Sequence, residues 1–151
     1  MGHADSSGHD DCIFCKIIAG EIPCAKVYED EQTFAFLDLS PVAKGHTLVV
    51  PKKHCPTLLD VPPSMGEALV KALQLVAAAV QEETGSSGFN CIQNNFSAAG
   101  QVVFHSHWHV IPRTDGDGLE AWPGSSYDSG DEMQQLAMSV RARIADGSSG
   151  G

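Results

Sequence analysis

Residues 104–112 have the sequence FHSHWHVIP, which is the most informative stretch of the chain. Side chains along a β-strand alternate between its two faces, so His105, His107 and His109 would share one face. The tryptophan and the valine of the stretch would point the other way, into a core. Three imidazoles in a row are costly to bury without polar partners. The pattern therefore predicts a strand with one functional face.

Two kinds of chemistry use histidines placed in this way. Alternate imidazoles can bind a metal ion, or a neutral imidazole can act as the nucleophile in phosphoryl or nucleotidyl transfer while its neighbours hold the phosphate. Alternate residues lie about 6.6–6.8 Å apart along a strand, so the outer two histidines would be roughly twice that distance apart. All three can hardly converge on one ion, and we expect them to have different roles.

Strands and helices are predicted on both sides of this stretch. Apolar and β-branched runs bounded by turn residues predict strands, and apolar residues at helical spacing after Ser-x-x-Glu predict two helices that begin with capping boxes. The predicted strands are 26–29, 33–37, 46–51, 89–93 and 102–112, and the predicted helices lie within 12–23, 64–84 and 131–145. Short connections favour an α+β fold, an antiparallel five-stranded sheet with helices packed on one side.

The domain organisation follows from length and composition. A chain of 151 residues fits one domain with a sizeable core. We expect a single domain at 12–145, comprising a motif-bearing core at 12–113 and an irregular segment with a final helix at 114–145. Residues 1–11 are predicted to be a disordered tail, and residues 146–151 a flexible one.

The charge of the chain excludes several partners. It carries 19 acidic and 9 basic residues, for a formal net charge of −10. A nucleic-acid polymer or an anionic membrane surface needs a basic footprint, so neither is expected as a partner. The N-terminus is polar and acidic, unlike a signal peptide, and no apolar run is long enough to span a bilayer. We therefore predict a cytoplasmic protein.

The five cysteines do not predict a disulfide framework. Their number is odd, and disulfides are rare in a reducing compartment. Cys12 and Cys15 have the spacing of a metal knuckle, although a single pair of this kind is weak as a signal. The other cysteines carry no functional pattern.

Taken together, the motifs resemble those of the histidine triad (HIT) family. The decisive match is His-x-His-x-His followed by Val110-Ile111, and the likeness covers roughly residues 11–113. The other matching segments, in chain order, are IF-x-KII at 13–18, F-x-D-x-SP at 36–41, HTLVVPKKH at 46–54, Asn94, and GQ at 100–101. The resemblance implies a HIT-like fold whose sheets join edge to edge across a homodimer. It points to the bacterial-type branch that includes nucleoside phosphoramidases.

The resemblance implies an enzyme, a hydrolase acting on nucleotide phosphoramidate or phosphoanhydride bonds. His107 would attack the α-phosphorus of a purine nucleoside phosphoramidate or related conjugate and form a nucleotidyl-histidine, with His109 and His46 around the phosphate. Imidazole suits this role because it is largely neutral near pH 7. Two alternatives stay open, a dinucleoside polyphosphate hydrolase and a nucleotide-binding regulatory or scaffold protein with incidental activity.

The resemblance also assigns residues to the substrate. A carboxylate can accept two hydrogen bonds from ribose hydroxyls, and an apolar pocket suits the base. The base would contact Ile13, Phe14, Ile17, Phe36 and Leu39, the ribose Asp38, and the phosphate region Asn94, Gly100, Gln101 and Val102.

Zinc-bearing members of the family complete the cysteine pair with two histidines. In this chain the corresponding set is Cys12, Cys15, His54 and His105. Two thiolates and two imidazoles would form a closed tetrahedral Zn²⁺ site, which is structural because no coordination position stays open. This assignment would also separate His105 from the other two triad histidines.

The chain departs from the family pattern at two positions. Val102 stands where familiar phosphoramidases have a serine whose hydroxyl contacts the phosphate and leaving group, so the leaving-group preference is open. Phe96 stands where glycine is common, so we expect a differently shaped loop between Asn94 and Gly100.

Overall fold

A computed structural model describes residues 8–149 of the chain. Within them the chain divides into a first unit that ends at Asp117 and a second that begins at Gly118. The first unit contains α1 (Gly8–Asp11), α2 (Ile13–Ile18), β1 (Lys26–Glu29), β2 (Thr33–Leu37), β3 (Thr47–Pro51), α3 (Gly66–Thr84), β4 (Gly88–Gln93) and β5 (Trp108–Arg113). The second contains α4 (Gly130–Ser149).

The five strands form one antiparallel sheet in the order β1-β2-β3-β5-β4. The predicted α+β fold with an antiparallel five-stranded sheet is therefore confirmed. β1 and β2 have the predicted bounds, while β3 and β4 differ from prediction by one residue at their first position. None of the helices in residues 8–149 is long and apolar enough to cross a membrane.

Both faces of the sheet are covered, so the prediction of helices on one side is wrong. Ala35, Val49 and Val110 pack against α3 in one core cluster. Phe34, Phe36, Leu48 and Val50 pack against α2 in another. Because β2 and β3 are buried on both faces, their sequences are continuous apolar runs and lack the alternation of apolar and polar residues that a half-exposed strand shows.

The register of β5 assigns its side chains to the two faces. Trp108 pairs with Val49, and His109 pairs with Leu48. Directly paired residues of antiparallel strands lie on the same face. Trp108 therefore packs with the α3 cluster, as predicted, and His109 lies on the α2 face.

The predicted strand at 102–112 is wrong in its first half, since β5 begins only at Trp108. The residues before β5 are not paired in the sheet and instead contact the chain that follows β3. The N–H of Ser106 donates to the carbonyl of Cys55 at 2.6 Å. The imidazole Nε2 of His105 lies 2.7 Å from the carbonyl oxygen of Pro51. Side-chain and irregular backbone bonds thus replace a regular ladder here.

The two predicted capping boxes have different outcomes. Before α3 the N-cap is Met65, without a side-chain hydrogen bond, so the box at Ser64 is wrong. A 3-10 turn at Pro63–Met65 includes Ser64 and starts the winding early. Before α4, the Ser129 hydroxyl accepts from the N–H of Glu132 at 3.1 Å, as a cap does.

The predicted tails lie partly outside the described residues, which exclude 1–7 and 150–151. Residues 8–11 of the first tail form α1, and α4 continues beyond the predicted end at Ala145 to Ser149. Every residue of α4 up to Gly147 is exposed.

Candidate active site

His46, His107 and His109, here called the histidine trio, lie together on the α2 face of the sheet. The ring centroids of His107 and His109 are 5.0 Å apart, and those of His46 and His109 are 5.1 Å apart. His46 and His107 are buried, and His109 is half-buried. The structure thus brings together the three residues predicted to be catalytic.

Gly45 allows the chain to place His46 in this position. Its φ is +100°, and a Cβ there would lie only 2.8 Å from Cγ2 of Thr84 and 3.3 Å from Cγ1 of Val80. Any other residue would face both backbone strain and contact with α3.

Backbone groups determine which ring nitrogen of His107 carries its proton. Nδ1 lies 2.8 Å from the carbonyl oxygen of His105. A carbonyl can only accept, so Nδ1–H donates to it. In the neutral imidazole Nε2 then holds a free lone pair, which is the form that a nucleophile requires.

The tautomer of His46 is the opposite one. The N–H of Val42 donates to Nδ1 of His46 at 3.1 Å, so Nε2 of the neutral ring carries the proton. That Nε2 lies 2.9 Å from Nδ1 of His109 and donates to it. Nε2 of neutral His109 is then a donor as well, and the trio presents one lone pair and one N–H.

Burial keeps the trio neutral. It lowers the pKa of His46 and of His107, against the nearby Asp38 carboxylate and, for His107, the hydrogen bond to the His105 carbonyl, which raise it. For His109, burial and then the two neighbouring histidines lower the pKa to about 4, with Asp38 opposing. Near neutral pH His107 is therefore unprotonated, the form in which an imidazole could act as a nucleophile.

Asp38 lies beside the trio. Its Oδ2 is 3.7 Å from Nε2 of His46, and its Oδ1 accepts from the N–H of Ser40 at 2.8 Å. Asp38, His46 and His109 could present ligand atoms within 4.8 Å of one another. A metal-binding imidazole normally donates its other N–H, whereas His46 accepts there from Val42, so this group is arranged for proton donation.

Cys12, Cys15, His54 and His105, here called the cysteine–histidine cluster, form a second group. Their ligand atoms all lie within 4.8 Å of one another. Cys12 caps α2, its sulfur accepting from the N–H of Cys15 at 3.4 Å. The structure therefore brings the four predicted metal ligands to one place.

The distances in this cluster fit a tetrahedral zinc ion. Nδ1 of His105 lies 3.3 Å from Sγ of Cys12 and 3.5 Å from Sγ of Cys15, and Nδ1 of His54 lies 3.4 Å from Sγ of Cys15. Zn–S bonds of about 2.3 Å and Zn–N bonds of about 2.0 Å at a tetrahedral angle put sulfur and nitrogen about 3.5 Å apart. His105 donates its Nε2–H to Pro51, so Nδ1 has the lone pair that a metal needs.

Without a cation nearby, the Cys15 thiol favours its protonated form. Burial, and then the neighbouring Cys12, raise the pKa of Cys15 to about 12. A bound cation would stabilise the thiolates and oppose this shift. The donor set, the distances and the tautomer of His105 therefore all fit zinc.

The apolar residues predicted to contact a base fall into two groups. Phe14, Ile17 and Phe36 are buried in the core cluster on the α2 face. Ile13 is 46% exposed, and Leu39 is 95% exposed. Ile13 and Leu39 are therefore accessible to a ligand, while the three buried residues support the surface beside the trio.

The loop predicted to contact phosphate contains exposed backbone. Gly100 has a φ of +93°, and a Cβ there would lie 3.8 Å from Nδ2 of Asn94. Val102 is 86% exposed, so its side chain and backbone are open to solvent. The left-handed conformation at Gly100 explains the glycine.

Gln101 is buried, and its side chain bonds the protein itself. Nε2 donates to the carbonyls of Pro56 at 2.6 Å and Val103 at 3.1 Å, and Oε1 accepts from the N–H of Phe96 at 2.8 Å. Phe96 has φ 69° and ψ 158°, a region that glycine almost alone occupies. The differently shaped loop expected at Phe96 is thus strained and held by Gln101.

Sequence patterns did not identify the groups that orient these residues. Three are backbone groups, on Val42, Pro51 and His105, which no side-chain motif encodes. The others link the segment before β5 to its surroundings, with Nε2 of Gln93 donating to the Ser106 hydroxyl at 2.9 Å and the N–H of Leu58 to Oδ1 of Asn95 at 2.7 Å. Ser106, a small residue between two histidines, was the one signal in the sequence for this close packing, and it is fully buried in the structure.

The family model described as the HIT domain matches residues 19–116. This chain belongs to the HIT domain family. It is 44% identical over 147 residues to the adenylylsulfatase HINT3 of Arabidopsis thaliana, covering 95% of this chain and 75% of that protein. It is 39% identical over 145 residues to the adenosine 5'-monophosphoramidase HNT1 of Candida albicans, covering 92% and 95%.

Solved structures of HIT proteins share the fold. A HIT family protein from Bacillus subtilis is 44% identical, with a TM-score of 0.82 over 88% of this chain and 96% of that one. A zinc-bound histidine triad family protein from Mycobacterium smegmatis is 35% identical, with a TM-score of 0.70 over 92% and 99%. The predicted family is therefore confirmed.

Proposed function

We propose that this HIT protein hydrolyses a purine nucleoside phosphoramidate, or a related nucleotide conjugate, through a covalent nucleotidyl-His107 intermediate. The predicted hydrolase class is confirmed by its relatives, an adenylylsulfatase and an adenosine 5'-monophosphoramidase. The substrate and the mechanism are our proposal. The observation that carries it is the hydrogen bond from Nδ1 of His107 to the His105 carbonyl at 2.8 Å.

In the first step Nε2 of His107 uses its lone pair to form a bond to the α-phosphorus. The bond from phosphorus to the leaving nitrogen, or oxygen for an anhydride, breaks with its electron pair on the leaving atom. A neutral amine or acid leaves only if that atom gains a proton, and we assign Nε2–H of His109 to bind that atom and relay a proton to it from solvent, so that His109 is neutral before and after the step. The His46 bond to Nδ1 of His109 keeps this donor tautomer in place.

In the second step water attacks the same phosphorus. The P–N bond to His107 breaks, and the nucleoside monophosphate is released while the water proton passes to solvent, so that His107 and His109 are both neutral again. Two displacements at one phosphorus replace a single difficult one. Backbone N–H groups around Gly100 and Val102, together with Asn94, are proposed to hold the phosphate oxygens.

For the nucleoside we assign Asp38 to the ribose hydroxyls. The carboxylate lies close enough to the trio for a ribose and its α-phosphate to bridge the distance, and it can accept two hydrogen bonds. Ile13 and Leu39 are proposed to contact the base directly, with Phe14, Ile17 and Phe36 supporting this surface from the core.

For the cysteine–histidine cluster we propose a structural zinc ion. Cys12, Cys15, His54 and His105 would hold it, and a closed tetrahedral site leaves no position for substrate. The ion would stabilise the fold by joining α2 to the segment that carries the trio. The zinc-bound relative supports this proposal.

A direct test is to trap the intermediate. Purified protein is mixed with adenosine 5'-phosphoramidate, quenched in alkali within milliseconds, digested and analysed by mass spectrometry. We expect an adenylyl group on the peptide containing His107, and none in His107→Asn. Turnover without any such adduct, or tight nucleotide binding with no turnover at all, would reject the proposed mechanism.

The leaving group is tested by a substrate panel. Val102 brings no hydroxyl to the position that contacts the leaving group in phosphoramidases, which is the observation that keeps a dinucleoside polyphosphate hydrolase as the second candidate. We expect kcat/KM to be higher for adenosine phosphoramidates than for diadenosine polyphosphates. The reverse order would favour the second candidate.

We also propose a homodimer whose sheets join edge to edge. β4 is an edge strand of the sheet in the described part of the chain, and it exposes Phe89 and Cys91. Edge strands offer backbone groups for pairing with a second sheet. Light scattering coupled to size exclusion should give twice the chain mass, and Phe89→Glu should shift it towards the monomer.

A further inference from the structure

His105 belongs to both groups of the site at once. Its imidazole lies in the cysteine–histidine cluster, with Nδ1 3.3 Å from Sγ of Cys12. Its backbone carbonyl oxygen accepts a hydrogen bond from Nδ1–H of His107, with nitrogen and oxygen 2.8 Å apart. A movement of His105 therefore changes the hydrogen bond that determines the tautomer of His107.

Phe14 makes a second link between the same two groups. Its ring packs edge-on against His107, with centroids 5.1 Å apart and an interplanar angle of 83°. It packs in the same way against His105, at 5.8 Å and 72°. Phe14 is 6% exposed, so little solvent reaches this contact. The ring of His107 thus lies between Phe14 and His109.

The position of Phe14 depends on the cysteines on either side of it. It lies in the first turn of α2, which Cys12 caps and which contains Cys15. A helix of only six residues is not stable by itself. What holds α2 in place is its core packing and the cysteine–histidine cluster, so whatever occupies that cluster also determines where the Phe14 ring lies.

We propose that Phe14 is a positioning residue for the nucleophile, and that it transmits the state of the cysteine–histidine cluster to His107. Together, Phe14 and the His105 carbonyl keep the ring in the orientation that presents Nε2 to the phosphorus. The nucleophile is thus oriented from the metal side of the site. This inference rests on the function proposed for His107.

The test reads the His107 tautomer directly, in nucleotide-free protein at one pH. NMR of ¹⁵N-labelled histidine resolves the hydrogen-bonded Nδ1 proton of His107, assigned by its loss in His107→Asn. In Phe14→Leu, which stays apolar but removes the aromatic edge, we expect this proton to exchange with water faster. The value of kcat should fall about tenfold or more, since small misplacement of a reacting group costs up to about 10²-fold.

Ile18→Ala is the matched control. Ile18 lies on the same helix and packs against the same core cluster, and we have not assigned it to substrate. We expect it to lower the melting temperature while the His107 proton and kcat stay close to wild type. If Phe14→Leu and Ile18→Ala change the exchange rate of the His107 proton equally, or if neither changes it, Phe14 is not a positioning residue.

A second comparison tests the link to the metal. Zinc-loaded and chelator-treated protein are compared below their melting temperatures, with folding checked by circular dichroism. We expect faster exchange of the His107 proton after zinc removal, and less additional change in Phe14→Leu, because the link is already broken. If the exchange rate of the His107 proton is unchanged in folded, zinc-free wild type, the cluster does not transmit its state to His107. Failure of nucleotide turnover with this NMR pattern intact would count against the proposed function alone.

Discussion

The cysteine–histidine cluster and the histidine trio use the same side chain for different tasks, and neighbouring backbone groups make the difference. In the cluster, the Pro51 carbonyl accepts a hydrogen bond from Nε2–H of His105, so Nδ1 has the lone pair that a metal needs. In the trio, the His105 carbonyl accepts a hydrogen bond from Nδ1–H of His107, so Nε2 has the lone pair that our proposal uses as the nucleophile. The Val42 N–H instead donates to Nδ1 of His46, so Nε2–H of that ring is a hydrogen-bond donor.

The identity of a residue as histidine does not by itself assign its role. The tautomer of each of these three histidines follows from which backbone group meets which ring nitrogen. If this explanation is right, changes in the trio should affect rate, and changes in the cluster should affect stability first.

The largest effect is expected for His107→Asn. The asparagine amide can still donate to the His105 carbonyl, so the fold and nucleotide binding should survive. The nucleophile is lost, and kcat should fall by roughly 10⁴-fold or more. Steady-state kinetics and calorimetric titration with AMP measure the two quantities. A rate near that of wild type would refute the assignment of the nucleophile.

Removal of zinc should act mainly on stability. A ligand that binds only the folded state at a free concentration of 1,000 times its Kd contributes about 4 kcal/mol to the free energy of unfolding. Urea unfolding with and without a strong chelator measures this difference. Cys15→Ser should reproduce the loss and no longer respond to the chelator. Equal stability in all samples would show that the cluster holds no structural metal.

Loss of the proton-donor geometry should cost less than loss of the nucleophile. In His46→Gln the His109 Nδ1 no longer meets a ring N–H, and we expect kcat to fall by about 10²-fold. A substrate with a better leaving group, such as a nucleoside 5'-phosphoester of p-nitrophenol, needs less proton donation and should lose less. Equal losses for both substrates would contradict a role in protonating the leaving group.

The buried imidazoles should make folding sensitive to mild acid. The pKa of His109 is about 4 in the folded protein, against about 6.5 in an unfolded chain. Between these values the unfolded state binds more protons, so stability should fall as pH decreases through that window. The unfolding equilibrium constant should change at most about tenfold per pH unit from this group.

His109→Gln is the control for that measurement. Acid also protonates zinc ligands, but this effect is common to both proteins. The free energy of unfolding of the wild type should therefore decrease relative to that of the variant as pH falls from about 6.5 towards 4. A constant difference would mean that His109 does not titrate as the structure indicates.

The smallest effect is expected at Val102. Val102→Ser restores a hydroxyl at an exposed position, and one added hydrogen bond to the phosphate or leaving group corresponds to roughly a two- to tenfold change in rate. We expect kcat/KM to rise for phosphoramidates and to change little for diadenosine polyphosphates. A similar rise for both would place the hydroxyl on the shared phosphate.

Much of this architecture was predictable, because its signals are local. Apolar runs gave β1 and β2 with their correct bounds, and the triad motif with its companion segments gave the family. Both site groups also follow from motif positions, since the structure brings their members together at the predicted places. Spacing along a strand predicted different roles for the three triad histidines, and the family resemblance assigned His105 to the metal ligands.

The remaining features depend on contacts that no local pattern encodes. Alternation predicts a strand through His105 and His107, but tertiary bonds to Cys55 and Pro51 hold that segment outside the sheet. The helix within 12–23 was predicted, but α2 is too short to show a helical period, so the sequence did not indicate which face of the sheet it covers. The tautomers of the trio depend on carbonyl and N–H groups, which every residue has.

The double use of His105 has a consequence for how such a site evolves. Its side chain is specific, but its carbonyl is a group that any residue supplies. A lineage that gave up the cysteines could therefore change position 105 freely and still keep an oriented nucleophile, provided that other packing fixed the backbone there. Position 107 has no such freedom. We expect sequence drift at the first triad histidine to follow loss of the cysteine pair, whereas the second histidine should stay fixed in every active descendant.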